Sequence, residues 1–299
     1  MTVIYRPATP ADTPAVYRVF TDTLADLSAR INQPADSTAG AADAWLRRQP
    51  LFDHLAETAA YAWLAEADGE VIGYARSIQR GPLLELTEFF VLPGRQSAGV
   101  GGDLLRRAFP ADAPGATKRA IIATIDTRAQ ARYLRAGVYP RFPIYEFNRA
   151  PEPVSVPTDL EIRPLAEAAD PLALAGTLDT AVLGHRRDPD HAWFQATRQG
   201  YAYFRQGQPV GYGYHGPFMG PFALLNPADQ PAVLAHAETQ WNAQGHDRIA
   251  FETPLINQTA VDYLLARRYQ FGGFFAFFMT SVPFGQFDRY VCSSPLFFI

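Results

Sequence analysis

The residues best suited to chemistry lie in one stretch of the chain. A strand-like run, Glu85-Leu86-Thr87-Glu88-Phe89-Phe90-Val91, ends at Leu92-Pro93 and is followed by Gln96-Ser97-Ala98-Gly99-Val100-Gly101-Gly102. A helix starting directly after such a loop offers unpaired backbone N–H groups and the positive end of its dipole, and glycines let an anion reach that backbone. The pattern is that of a diphosphate cradle. It is not a P-loop, which needs Lys-Ser/Thr, and Gly99-Val100-Gly101 lacks the later glycine of the dinucleotide fingerprint. Two carboxylates, Glu85 and Glu88, precede the loop, and their odd spacing on a strand points them to opposite faces, so that at most one serves a given site.

The elements around this segment follow from local signals. Val3 to Pro7 reads as a strand, Asp12-Thr13-Pro14 opens a helix carrying Val16, Val19, Phe20, Leu24 and Leu27, and Trp45 to Ala59 reads as a second helix after a polar stretch, Asn32 to Ala42. Tyr61 to Glu66 and Val71 to Ala75 form a hairpin around Asp68-Gly69. Ile121 to Ile125 is a strand, and Asp126 to Ala136 is a helix stopped by Gly137. Pro151, Pro153 and Pro157 mark a linker, after which the pattern returns: Tyr5-Arg6-Pro7 as Ile162-Arg163-Pro164, Ile72-Gly73-Tyr74 as Val210-Gly211-Tyr212, and Ile121 to Tyr133 as Ile249 to Leu264. The common order of these matches indicates a tandem duplication. The expected boundaries are 1–150 for the first domain, 151–158 for the linker, 159–284 for the second domain and 285–299 for a tail packing on the domains.

The loop and its setting resemble the GNAT acyltransferase superfamily, whose pyrophosphate loop has the form Gln/Arg-x-x-Gly-x-Gly/Ala after a strand ending in Val-x-Pro. The family's second element, Asn-x-x-Ala-x-x-x-Tyr with a glycine four residues later, is matched by Asp126, Ala129, Tyr133 and Gly137, with aspartate in place of the usual asparagine. The resemblance covers about residues 3 to 149, and a degraded version runs from 160 to about 284. It implies an α/β chain of two tandem GNAT-like domains, each a mixed, mostly antiparallel sheet flanked by helices. It also implies acetyl-CoA as cosubstrate and direct transfer of the acyl group to the amine of a small molecule, with no covalent enzyme intermediate. Cofactor binding is expected from Val91, Gln96, Ser97, Ala98, Gly99, Val100, Gly101, Gly102, Asp126 and Arg128.

Acyl transfer to an amine requires the amine to lose a proton, the thioester oxygen to be polarised and the departing thiolate to be protonated. The resemblance places the oxygen's donor at a strand bulge, at the N–H of Val91 or its neighbour, makes Tyr133 the general acid and favours Glu88 as base. The resemblance also offers the terminal carboxylate of Ile299, since some tandem members bring their own C-terminus into the active site and the apolar tail Pro295 to Ile299 is suited to burial. Arg95, Arg128 and Arg132 could approach the phosphates, and His54 could border the acceptor. The reading from another class is a non-catalytic acyl-CoA-binding or sensing protein on the same fold.

The second copy is expected to be inert. Asn226-Pro227 is followed by Ala228-Asp229-Gln230-Pro231-Ala232-Val233, which has no glycine, and Leu264 stands where the first copy has Tyr133. Its expected work is to buttress the first copy, shape the acceptor cleft or dimerise. The segment Phe287 to Ile299 is expected to complete or cover the first copy's sheet.

Bulk properties narrow the alternatives. The 299 residues are 48% hydrophobic and 19% charged, with net charge −4 and Lys118 as the only lysine, which is globular composition without the basic surface a nucleic-acid partner needs. The start of the sequence lacks a signal-peptide pattern, and no apolar run approaches the roughly 18 residues that span a bilayer, so a cytoplasmic protein without membrane contact is expected. Cys292 is the single cysteine and is expected to be an ordinary small residue. His185, Asp188, Asp190 and His191 are the one metal-like cluster; no regular ligand spacing supports it, and no metal is expected.

Overall fold

A computed structural model describes residues 2–31, 41–96 and 99–299, with the side chains of residues 41, 42, 273 and 274 outside that description. The chain divides into two compact units, 1–139 and 140–299. Among the described residues no helix is long and apolar enough to cross a membrane.

In the first unit, β1 (Ile4–Pro7), β2 (Ala59–Ala67), β3 (Glu70–Arg80) and β4 (Leu83–Val91) pair antiparallel in that order, and β5 (Lys118–Ala123) adds to β4 in parallel. The β2–β3 hairpin turns at Asp68 and Gly69, with φ +52° and +81°, the two left-handed residues that a twisted two-residue turn requires. Helices α1 (Thr13–Arg30) and α2 (Ala41–Glu57) lie on one face of the sheet, where the Arg76 side chain reaches the Phe52 carbonyl. Helix α3 (Val100–Ala108) packs on the other, tied down by a 2.6 Å bond from the Ser77 hydroxyl to the Ala108 carbonyl. Helix α4 (Thr127–Arg135) follows β5 and closes at Gly137 (φ +78°), where the N–H groups of Gly137 and Val138 donate to the carbonyls of Leu134 and Tyr133.

In the second unit β6 (Tyr139–Arg149) is followed by β7 (Glu161–Pro164), α5 (Pro171–Val182), α6 (Asp188–Thr197), β8 (Gln199–Arg205), β9 (Gln208–His215) and β10 (Phe222–Leu224). Helix α7 (Gln230–Ala243), β11 (Ile249–Pro254), α8 (Gln258–Ala266), β12 (Gln270–Thr280) and β13 (Tyr290–Val291) complete it. The hairpin turn recurs at Gln206 and Gly207 with φ +52° and +75°, and the helix-closing bonds recur at Arg268 and Tyr269, which donate to Leu265 and Leu264. These matches between copies are geometric, so they carry more weight than the short sequence matches that suggested them. Strand β6 pairs with β11 over six residues and contributes Phe147 to the core of this unit, beside Phe222, Phe251 and Leu264. Strand β13 pairs with β10, so this part of the segment expected on the first copy's sheet joins the second unit's sheet instead. The reason is specific: β10 presents a free antiparallel edge in register with Tyr290 and Val291.

Candidate active site

The described ends of the loop after β4 are set by local features. The Gln96 side chain donates to the Val91 carbonyl at 2.9 Å, and Gly99 caps α3 in the left-handed region at φ +85°, where a side chain would be strained. The first intrahelical bond runs from the Asp103 N–H to the Gly99 carbonyl, which leaves the N–H groups of Val100, Gly101 and Gly102 without a partner inside the helix. Asp103 accepts from Tyr5 at 3.0 Å and pairs with Arg106 and Arg107, so its charge is compensated by neighbours. Ser97 and Ala98 lie outside the described residues.

Gly101 borders a cleft of about 350 Å³ that also touches Phe89 and Val91 of β4, Gln96, and the helix α4. A Cβ on Gly101 would stand 3.1 Å from the Phe89 ring and 3.4 Å from Arg132 Nε, so only glycine leaves this wall as it is. Arg128, Arg132 and Arg135 follow one another at four- and three-residue spacing and all reach the cleft, a basic row on one helical face. Arg135 was not singled out by sequence, although its spacing from Arg132 would have found it. Thr23 of α1 also lines the cleft with a buried hydroxyl that has no hydrogen-bond partner among the described residues, and no local signal announces it. Asp126 caps α4 through the Arg128 N–H (2.9 Å) and pairs with Arg30 at 3.0 Å and Arg128 at 3.2 Å. Burial pushes its carboxyl up, but these partners more than reverse that and hold it at about 2. Arg95 is not among the residues lining this cleft.

The far end of the cleft is the free edge of β4. Parallel pairing with β5 stops at Leu86 and Ile121, and the strand bulges at Thr87, four residues before Val91 where the sequence reading looks for a bulge. Because Leu92 N–H donates back to Ile72 O, strand alternation turns the N–H groups of Phe89 and Val91 away from β3, onto the edge that β5 has left.

The bulge corrects a second expectation. Glu88 stands opposite Arg76 and Glu85 opposite Ile78, so the extra residue brings both carboxylates to the α1–α2 face rather than to opposite faces. Glu88 is wholly buried, accepts from the Tyr74 hydroxyl at 3.0 Å and pairs with Arg76 at 2.8 Å. Burial raises its carboxyl, opposed by Arg76 and Tyr74. Tyr133 is on the other side of the strand, its ring edge-on to Phe89 at 6.0 Å. Burial, helped by the Asp126 charge, pushes its phenol well above the usual range, so it is protonated at neutral pH. The structure therefore gathers Val91, Gln96, Gly101, Asp126 and Arg128 around one cleft and sets Glu88 and Tyr133 on opposite faces of β4. His54 is buried near the end of α2.

In the second unit, Asp229 precedes α7 and is clamped by Arg205 at 2.7 and 3.1 Å, while Gln230 buries a side chain whose amide has no partner among the described residues. Leu264 is fully buried. His191 spends Nε2 on Asp179 (2.7 Å) and Nδ1 on Tyr214 (2.9 Å), which removes it from metal binding. Asp179 also pairs with Arg187 at 2.6 Å and accepts from Tyr212, the counterpart of Tyr74. Cys292 and Ile299 are buried, and the Phe298 ring stacks on Phe194.

Residues 23–138 match the acetyltransferase (GNAT) family. No curated protein matched the sequence. Among solved structures, a candidate acetyltransferase from Pyrococcus horikoshii is 14% identical, with 96% of this chain and 92% of that one aligned at a TM-score of 0.73. A GCN5-related N-acetyltransferase from Sphaerobacter thermophilus is 17% identical over 93% and 95% of the two chains, TM-score 0.62. A tandem GNAT protein from the clavulanic acid biosynthesis pathway is 15% identical over 94% and 99%, TM-score 0.55. At these identities the likeness is one of fold, and it extends over both units.

Proposed function

The chain carries a domain of the acetyltransferase (GNAT) family at residues 23–138 on a tandem GNAT-like fold, and from that premise we propose that it is an N-acyltransferase that uses acetyl-CoA to acylate the amine of a small molecule. The observation that carries this reading is the continuity of one cleft. It begins at Gly101 in the first turn of α3, whose N–H has no partner inside the helix, continues along the basic row Arg128, Arg132, Arg135 and ends at the edge of β4 at Phe89 and Val91. A diphosphate suits the first part, since backbone donors and guanidinium groups both favour an anion there.

Bound acetyl-CoA would supply an activated acyl thioester. The chain's share is to hold the diphosphate, to offer the Val91 N–H to the carbonyl oxygen and to manage two protons. In the overall exchange a C–N bond forms and a C–S bond breaks. The amine's proton passes to Glu88, directly or through water, and Tyr133 returns one to the sulfur.

One observation favours the second reading, acyl-CoA binding without transfer. The second unit, which has no glycine cradle, builds the same kind of buried clamp from Tyr212, Asp179 and Arg187 that the first builds from Tyr74, Glu88 and Arg76, so Glu88 has a purely structural use. Release of free thiol from acetyl-CoA over a library of small amines separates the two. Turnover with some amine supports transfer; tight binding with no thiol release across the library supports the sensor.

A further inference from the structure

The gap that the first unit leaves open between its fourth and fifth strands has a counterpart in the second unit, between β10 and β11, and there it is filled by the chain itself. Tyr290 and Val291 pair antiparallel with Ala223 and Phe222 of β10, and the next residue, Cys292, donates its N–H to the Glu252 carbonyl of β11 at 2.8 Å. An extended segment thus bridges the two strands. It also meets the helix that follows them: Asn257, which occupies in α8 the place of Asp126 in α4, donates from Nδ2 to the Tyr290 carbonyl at 3.1 Å while its Oδ1 caps the helix by accepting from Ala260 N–H.

The surroundings are shaped for this occupant. Gly220 sits at φ +82°, where a Cβ would come within 2.3 Å of the Cys292 carbonyl oxygen. Ser294 N–H donates to Met219 O at 2.9 Å, and Arg198 fastens the segment through Ser293 Oγ and the Ser294 carbonyl, both at 3.0 Å. Tyr290, Val291 and Cys292 are fully buried.

We propose that residues Tyr290–Cys292 are a built-in occupant of the second unit's ligand slot, taking the main-chain and Asn257 bonds that an extended, amide-bearing ligand would take, so that the chain binds one acyl-CoA and binds it in the first unit. The identity of the ligand rests on the function proposed above; the occupation of the slot does not. In the first unit the equivalent cap is Asp126, which accepts only, so the donor that fixes the Tyr290 carbonyl has no copy there.

Two measurements on the full chain test this. Amide hydrogen exchange without ligand is expected to show Val291 and Cys292 protected by at least about 100-fold. Asn257→Asp keeps the helix cap and removes the donor, and is expected to speed their exchange about tenfold. Fast exchange in the wild type, or no change in Asn257→Asp, overturns the plug. Calorimetric titration with acetyl-CoA is expected to give one equivalent in the wild type, weakened roughly 10- to 150-fold in Gly101→Val; two equivalents, or a site whose affinity Gly101→Val leaves unchanged, also overturns it. Absence of any binding to the wild type would sink the functional reading, and the exchange result would still decide the plug.

Discussion

Replacing Gly101 by valine perturbs the cradle at its narrowest point. The new Cβ would start 3.1 Å from Phe89 Cζ and 3.4 Å from Arg132 Nε, whereas carbon atoms rest at about 3.5–4.0 Å, so the ring must retreat by roughly half an ångström before the two γ-methyls are placed. Phe89 has Tyr133 behind it at 6.0 Å, which limits the retreat. Overpacking of this kind costs about 1–3 kcal/mol, offset by roughly 0.3–0.5 kcal/mol because valine is a better helix former than glycine. A modest fall in melting temperature follows. The effect on ligand is larger in proportion: losing one N–H bond to a charged phosphate costs about 1.5–3 kcal/mol, or roughly 10- to 150-fold in affinity. Calorimetric titration with acetyl-CoA, well below the melting transition, measures it. If Gly101→Val keeps the wild-type dissociation constant while its melting temperature falls, Gly101 does not border the diphosphate and the assignment of the loop fails.

Tyr133→Phe is expected to lower turnover by about 10- to 1000-fold with acetyl-CoA affinity nearly unchanged, read from steady-state rates and titration; equal activity removes it from the mechanism. Asp126 has its carboxyl lowered, so the stability it contributes is present above its ordinary value near 3.8 and is lost as pH falls towards about 2. Asp126→Asn keeps the α4 cap and should flatten the acid side of the melting-temperature profile in that window. Asp179→Ala leaves Arg187 buried without its partner and should destabilise the second unit by about 3–5 kcal/mol in urea unfolding, with first-unit affinity for acetyl-CoA retained.

Much of the local structure was legible because it is written in adjacent residues. Asp68-Gly69 specifies its turn, Gly137 stops its helix at a position that does take positive φ, and the expected helix after the glycine loop begins at Val100. What failed depended on one residue of register or on distant partners. Thr87 looks like any strand threonine, yet its bulge moves Glu85 to the side of Glu88. Thr23 reaches the cleft through helix packing that no spacing rule encodes, and the pairing of Tyr290 with Ala223 joins segments 67 residues apart. The two buried clamps were invisible for the same reason: the tyrosine recurs at the same strand position, while its carboxylate comes from β4 in one copy and from a helix in the other.

Arg268 stands where the first copy has Gly137, with the same pair of closing bonds and φ +60°. A left-handed backbone costs an ordinary L-residue about 1–2 kcal/mol, of which glycine's extra freedom in the unfolded chain would return roughly half. The same chain reversal is thus made here without a glycine, which means the path of the backbone is dictated by what it joins rather than by its own preference. Arg268→Gly should accordingly raise the melting temperature, an uncommon gain from adding a glycine.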